Sequence, residues 1–241
     1  GAMLGLEVHL VLSGERPDLP TGNLLLSSLF GAQMHFTGAA DSHWGELEVV
    51  RESLVEELRA SGAAPYGIPI GGSTPVGAAG YAAALFEMSE QFAAAGIEPV
   101  AIVHTSSSGG THAGLVAGRA LLRERGHHVP DVLAIGVAKG VNMGLPDVAE
   151  MARDTVEMLG GSRDLVEPGD VQIDPDWMGD DYAVPTRAGD AAIRWAATHG
   201  GWVLDRTYSG KGFAGLVGNA EAGRWRPGGD IVFVHTGGQP A

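Results

Sequence analysis

The run Thr105-Ser106-Ser107-Ser108-Gly109-Gly110-Thr111-His112-Ala113-Gly114 packs hydroxyls, glycines and an imidazole between an apolar run, Val100 to Val103, and a helical pattern beginning near Ala113. Strand, glycine-rich turn and helix start, in that order, bring backbone N–H groups, hydroxyls and the positive end of a helix dipole to one point. That combination suits a phosphate monoester. The run has neither the lysine of G-x-x-x-x-G-K-[ST] nor the glycine spacing of G-x-G-x-x-G, so it is not one of the common nucleotide loops. Three further turns mix glycine with hydroxyls: Gly71-Gly72-Ser73-Thr74-Pro75, Tyr208-Ser209-Gly210-Lys211 and His235-Thr236-Gly237-Gly238. A single turn of this kind is ordinarily a tight connection needing positive φ. Three of the four directly follow strand-like or aromatic segments, which sets them apart.

Other chemistry is weaker. A serine nucleophile at Ser106, Ser107 or Ser108 lacks the G-x-S-x-G setting. His127-His128, and His43 beside Asp41, lack the i, i+4 spacing or convergent carboxylates of a zinc helix and read as surface or capping histidines. Asp41 with Glu46 and Glu48, and Asp174-Asp176-Asp180-Asp181, read as solvated acidic faces without EF-hand spacing. His112 falls at a helix start, where a neutral imidazole is preferred and either phosphate contact or capping is open.

These residues need a scaffold. Strand-like runs recur at Leu6–Leu12, Ala32–Phe36, Tyr66–Ile70, Val100–His104, Val132–Val137, Trp202–Leu204 and Ile231–His235. Between them lie helical patterns at Glu46–Ala60, Gly77–Ala95, Ala113–Glu124, Pro146–Leu159, Asp190–Thr198 and Lys211–Asn219, several ending at glycine. Alternation of this kind predicts a mostly parallel α/β sheet covered on both faces, with ligands at the carboxyl ends of strands. The turns after Val103 and Val234 occupy that position. Val166–Asp181 reads as an irregular surface excursion.

Composition narrows the partners. The chain has 241 residues, 44% of them hydrophobic, enough for one large domain or two smaller ones. A net charge of −14 without a basic stripe argues against nucleic acid and anionic membrane. There is no cysteine, so disulfides and thiolate metal sites are excluded, in keeping with a cytoplasmic protein. No apolar run reaches the roughly 18 residues of a membrane helix. Leu4–Leu12 carries Glu7 and His9 and reads as a strand rather than a signal peptide, and Gly1-Ala2 ahead of Met3 as a remnant of tag removal.

Taken in order, the segments resemble the pyridoxal-phosphate enzymes of the tryptophan-synthase-β fold type (fold type II), in the subgroup of D-cysteine desulfhydrase and 1-aminocyclopropane-1-carboxylate deaminase. The matching stretches are Leu4–Leu12, Gly22–Leu26, Ile68–Ser73, Ser108–Leu115, Asp181–Pro185, Tyr208–Lys211 and His235–Gly238. The resemblance spans essentially the whole chain. It implies a small domain at residues 1–72, truncated at its N-terminal side, and a large cofactor-binding domain at residues 73–241. It implies that Ser108, Gly109, Gly110, Thr111 and His112 cradle the phosphate of pyridoxal 5′-phosphate. Ser209 would sit near the pyridine nitrogen, where a hydroxyl leaves the ring a weaker electron sink. Thr236 would lie near the ring edge, and Tyr182 and Tyr208 would line the substrate side as acid/base or polarising groups.

Family members also carry, ahead of the point matching residue 1, the lysine that anchors the cofactor covalently. This chain has two lysines, Lys139 and Lys211. Lys211 lies in the tyrosine–glycine turn, where relatives keep a second lysine, and Lys139 reads as a solvated strand-end residue. The expectation is therefore a lyase or deaminase lineage acting on a small amino acid, with this chain one half of a split enzyme or a piece of a longer product. The alternative is an inactive binding or regulatory subunit that kept the fold. Either way, apolar surface should be exposed, favouring a homo-oligomer or a second chain.

Overall fold

A computed structural model describes residues 1–38 and 44–238; Asp41 and His43 lie outside the described residues. Contacts divide the chain into two units, residues 1–70 and 71–241.

The first unit is built on a parallel pair, β1 (His9–Leu12) and β2 (Gln33–Phe36), joined through α1 (Gly22–Leu29) and followed by α2 (Trp44–Ala60). The α1 segment was not anticipated as a helix. None of the described residues in this unit is fully buried, and Leu4, Leu6, Leu29 and Phe30 are exposed. Tyr66–Ile70 does not form the expected strand. Its last N–H, at Ile70, donates to Glu48 Oε1 at 2.6 Å, so no neighbouring strand takes it. Glu48 is thus a structural acceptor, not part of a solvated acidic face.

The second unit holds a four-stranded parallel sheet in the order β5-β4-β3-β6. Its strands are β3 (Ala101–Ser106), β4 (Asp131–Gly136), β5 (Gln172–Asp174) and β6 (Ile231–Val234). Every residue of β3 is buried, as expected for a continuous apolar run inside a parallel sheet. Ile102 and Val132 pack with Leu85 and Leu115 on one face. Val103, Leu133 and Ile135 pack with Trp177, Leu216 and Phe233 on the other. Burial of each large aliphatic side chain contributes about 1.5–3 kcal/mol. The first face is covered by α3 (Pro75–Ala95), α4 (Gly110–Glu124) and α6 (Val148–Met158), the second by α7 (Arg187–Gly200) and α8 (Ser209–Glu221).

Three expectations are corrected here. Trp202–Leu204 pairs with no strand among the described residues. Pro146 follows a cis peptide bond and precedes the helix, which Asp147 caps by accepting the Glu150 N–H. The supposed irregular excursion contains β5, whose Asp174 accepts from Trp177 Nε1 at 2.9 Å and Asn219 Nδ2 at 2.6 Å. Asp174 is therefore a fold anchor.

Candidate active site

β3 ends at Ser106, and the chain turns through Ser107 and Ser108 to Gly109, whose φ of +83° opens α4. No side chain among the described residues caps α4, so its first-turn N–H groups are open to an external acceptor. A Cβ on Gly110 would lie 3.0 Å from Ser73 Oγ, and one on Gly71 only 2.2 Å from Ser108 Oγ. The absent side chains are what let these two turns meet. Ser73 Oγ and Ser106 Oγ are both buried without a hydrogen-bond partner among the described residues.

His112 is fully buried and coupled to His104 of β3. His104 Nδ1 lies 3.0 Å from the Thr105 carbonyl, and its Nε2 lies 3.0 Å from His112 Nδ1. The carbonyl can only accept, so in the neutral pair His104 holds its proton on Nδ1 and accepts at Nε2 from the His112 Nδ1–H. Burial favours that neutral state, lowering the pKa of His104 to about 4 and that of His112 well below its ordinary value, with His104 adding repulsion. His112 Nε2 is then a bare lone pair, buried without a partner. It cannot donate to phosphate, so at this position only the backbone N–H suits an anion.

α8 begins at the other side of β3. Gly212 sits so close to Thr105 that an added Cβ would fall 1.9 Å from its Oγ1. Just before the helix, buried Asp205 organises the turn. Its Oδ1 accepts from the N–H groups of Thr207 and Tyr208, both at 2.7 Å. Its Oδ2 accepts from Ser209 N at 2.9 Å and Ser209 Oγ at 2.6 Å. Burial alone would raise the Asp205 pKa, but the hydrogen bonds from the Ser209 hydroxyl and the backbone outweigh it and hold the carboxyl below its ordinary value. Ser209 Oγ also accepts from Asp205 N at 2.8 Å, so its proton is committed. The turn after β6 reaches the same carboxylate, since a Cβ on Gly238 would meet Asp205 Oδ2 at 2.0 Å. Thr236 lies two residues earlier, exposed.

Tyr182 and Tyr208 hydrogen-bond through their hydroxyls, with ring centroids 5.8 Å apart and an edge-to-face arrangement. Burial, then the bond to Tyr208, pushes the Tyr182 pKa up. The Tyr182 loop is held by Lys211, which is fully buried and donates to Met178 O at 2.6 Å and Asp181 O at 3.1 Å. Lys139 opens a short helix, α5 (Lys139–Asn142), and its Nζ lies 2.6 Å from Asp181 Oδ2. Asp181 is therefore a paired group rather than a solvated one. Its pKa is lowered chiefly by the hydrogen bond from Lys139.

The carboxyl ends of β3 and β6 thus carry the glycine cup, the Asp205–Ser209 turn and the segment with Thr236, while the tyrosine pair stands beside the same α8 turn. Sequence reasoning passed over Ser73, Asp205 and Asn142. Asn142 donates to the Gly136 carbonyl at 3.2 Å and leaves a buried Oδ1 without a partner. Only Ser73 gave a signal, as a hydroxyl in a glycine turn.

A family profile described as pyridoxal-phosphate dependent enzyme matches residues 1–237. The chain belongs to the pyridoxal-phosphate-dependent enzymes. It is 34% identical over 246 residues to a D-cysteine desulfhydrase of Serratia proteamaculans, covering 100% of this chain and 71% of that protein. A D-cysteine desulfhydrase of Salmonella paratyphi C is 34% identical over 224 residues, 92% of this chain and 64% of the relative. A crystal structure of an ACC deaminase homologue superposes with a TM-score of 0.82 at 33% identity, over 98% of this chain and 67% of that one. The chain therefore spans about two-thirds of the relatives it matches. This pyridoxal-phosphate-dependent chain has the α/β architecture of fold type II, and its family implies pyridoxal 5′-phosphate as cofactor. Among its described residues no helix is long and apolar enough to cross a membrane.

Proposed function

We propose that the chain forms the cofactor-holding part of a lyase or deaminase acting on a small amino acid, with elimination of sulfide from a cysteine-like substrate as the leading reaction. The observation that carries this reading is the meeting of an uncapped helix start, buried hydroxyls without partners and a hydrogen-bonded tyrosine pair around the end of one strand. The cofactor, when bound, supplies an electron sink for charge developing at the substrate α-carbon.

The residues fit such a group. Gly110, Thr111 and His112 offer backbone N–H donors to phosphate, and Gly109 and Gly110 leave room for its approach. Ser108 completes the cup by its hydroxyl. Ser209 would stand near the pyridine nitrogen with its proton already spent on Asp205, and Thr236 would stand near the ring edge. On the substrate side, one hydroxyl of the Tyr182–Tyr208 pair donates to the other, which leaves the accepting tyrosine's own proton available for a leaving group. Neither lysine is placed to anchor a cofactor: Lys139 is ion-paired and Lys211 is bound to two carbonyls. Association with itself or a second chain is supported by the exposed Leu29 and Phe30 in the first unit.

Sulfide release from D-cysteine and ammonia release from 1-aminocyclopropane-1-carboxylate test this reading in a cofactor-loaded preparation that also contains the anchoring lysine, which neither Lys139 nor Lys211 supplies. Tyr208→Phe should lower either rate by about 10²–10⁴-fold, the usual share of acid/base catalysis. Neither product above a cofactor-only blank would overturn it.

A further inference from the structure

We infer that Ser73, at the threshold of α3, is a ligand of the cofactor's phosphate, so that the dianion is held by two parallel helix starts rather than one. This rests on the reading that the Ser108–His112 turn is a phosphate cup.

α3 and α4 pack closely through glycines of α4. A Cβ on Gly114 would strike Ala78 O and Tyr81, and one on Gly118 would meet Ala82 and Leu85. Four residues along α4 correspond to four along α3 in the same direction, so the helices run parallel. Gly114 is four residues into α4 and Ala78 three into α3, so both N-termini stand abreast. Two positive helix ends side by side repel each other unless an anion lies between them.

The hydroxyl that would meet that anion is already in place. Ser73 Oγ lies 3.0 Å from where a Gly110 side chain would begin, at the first turn of α4. It is shielded from solvent and pairs with nothing among the described residues. The neighbouring hydroxyl is otherwise employed, since Thr74 Oγ1 caps α3 by accepting the Gly77 N–H at 3.1 Å. Gly71, with φ of +71°, brings the Ser73 turn against Ser108 so tightly that any side chain there would displace the Ser108 hydroxyl. Ser106 adds a second buried hydroxyl without a partner, from a residue only 2% exposed. Hydroxyls that donate to nothing, gathered at two helix starts, are donors arranged for an anionic acceptor.

Calorimetric titration with inorganic phosphate, at a pH where it is a dianion, tests this on the whole chain. Ser73→Ala should weaken binding about tenfold, the loss of one hydrogen bond to a charged group. The same substitution removes an unsatisfied buried hydroxyl, so the phosphate-free protein should melt about 2–4 °C higher. A purely structural serine would move both quantities in the unfavourable direction or neither. Gly110→Val is the reference for the cup itself and should abolish binding. If Gly110→Val abolishes binding while Ser73→Ala leaves it unchanged, the assignment of Ser73 is wrong and the cup survives. If phosphate does not bind the unaltered chain, or binds Gly110→Val equally well, both fall.

Discussion

Replacing Asp205 by Asn separates a carboxylate that organises the site from one that merely fills space. Four hydrogen bonds converge on it, at 2.6–2.9 Å, and the residue is 4% exposed. An amide oxygen at Oδ1 could keep Thr207 and Tyr208. The amide nitrogen would then face the Ser209 N–H, two donors with no acceptor between them. The Ser209 hydroxyl can rotate to accept, but the buried N–H cannot. Leaving that donor orphaned costs about 1–3 kcal/mol, and losing the charge-assisted bonds adds about 1.5 kcal/mol. Asp205→Asn should therefore cost roughly 3 kcal/mol at pH 7, lowering the melting temperature by about 6–12 °C. The pH dependence fixes the cause. A carboxylate with a depressed folded-state pKa stabilises above its unfolded value, about 3.9, and that stability is lost as pH falls through the folded value. The gap between the proteins should be constant above pH 5 and close below about pH 4. Urea unfolding across that range is the assay. A loss under about 0.5 kcal/mol at pH 7, or a gap unchanged in acid, would refute the reasoning.

Two further outcomes follow from buried groups. Lys211→Met should free the Met178–Asp181 loop, so that the late-ionising Tyr182 titrates nearer the ordinary tyrosine value of about 10, read by ultraviolet difference absorbance; an unchanged titration would show that the lysine does not position it. His104 ionises at about 4 in the folded state against about 6.5 unfolded, so stability should fall by about 3 kcal/mol as pH drops from 6.5 to 4. The unfolded chain takes up the proton first, hence that sign. His112, also held neutral by burial, adds to the same limb, so His104→Gln should make it shallower without abolishing it, and an undiminished slope would place it elsewhere.

The parts legible in the sequence were those with local causes. Val100–His104 and Val132–Val137 are continuous apolar runs, and such runs become central parallel strands because both faces are covered. The glycine turn after β3 was legible as an anion site because its N–H groups, small residues and helix start are contiguous. What escaped depended on partners distant in sequence. Gln172–Asp174 is too polar to read as a strand, and becomes one because Trp177 and Asn219 take up Asp174 while β4 offers a free edge. Tyr66–Ile70 and Trp202–Leu204 have strand-like composition but no strand beside them among the described residues. Ser73 gains meaning only when parallel packing of α3 and α4 sets it against Gly110, and Lys211 only when the fold delivers two carbonyls from thirty residues upstream.

The central claim is that the end of β3 and the start of α4 receive the phosphate of pyridoxal 5′-phosphate. A crystal structure of the chain soaked with that compound tests it most directly. Phosphate oxygens should lie within hydrogen-bond distance of the backbone N–H groups of Gly110, Thr111 and His112, with the ring directed toward Thr236 and the tyrosine pair. Phosphate seated elsewhere, or the cup closed by the protein's own side chains, would contradict it.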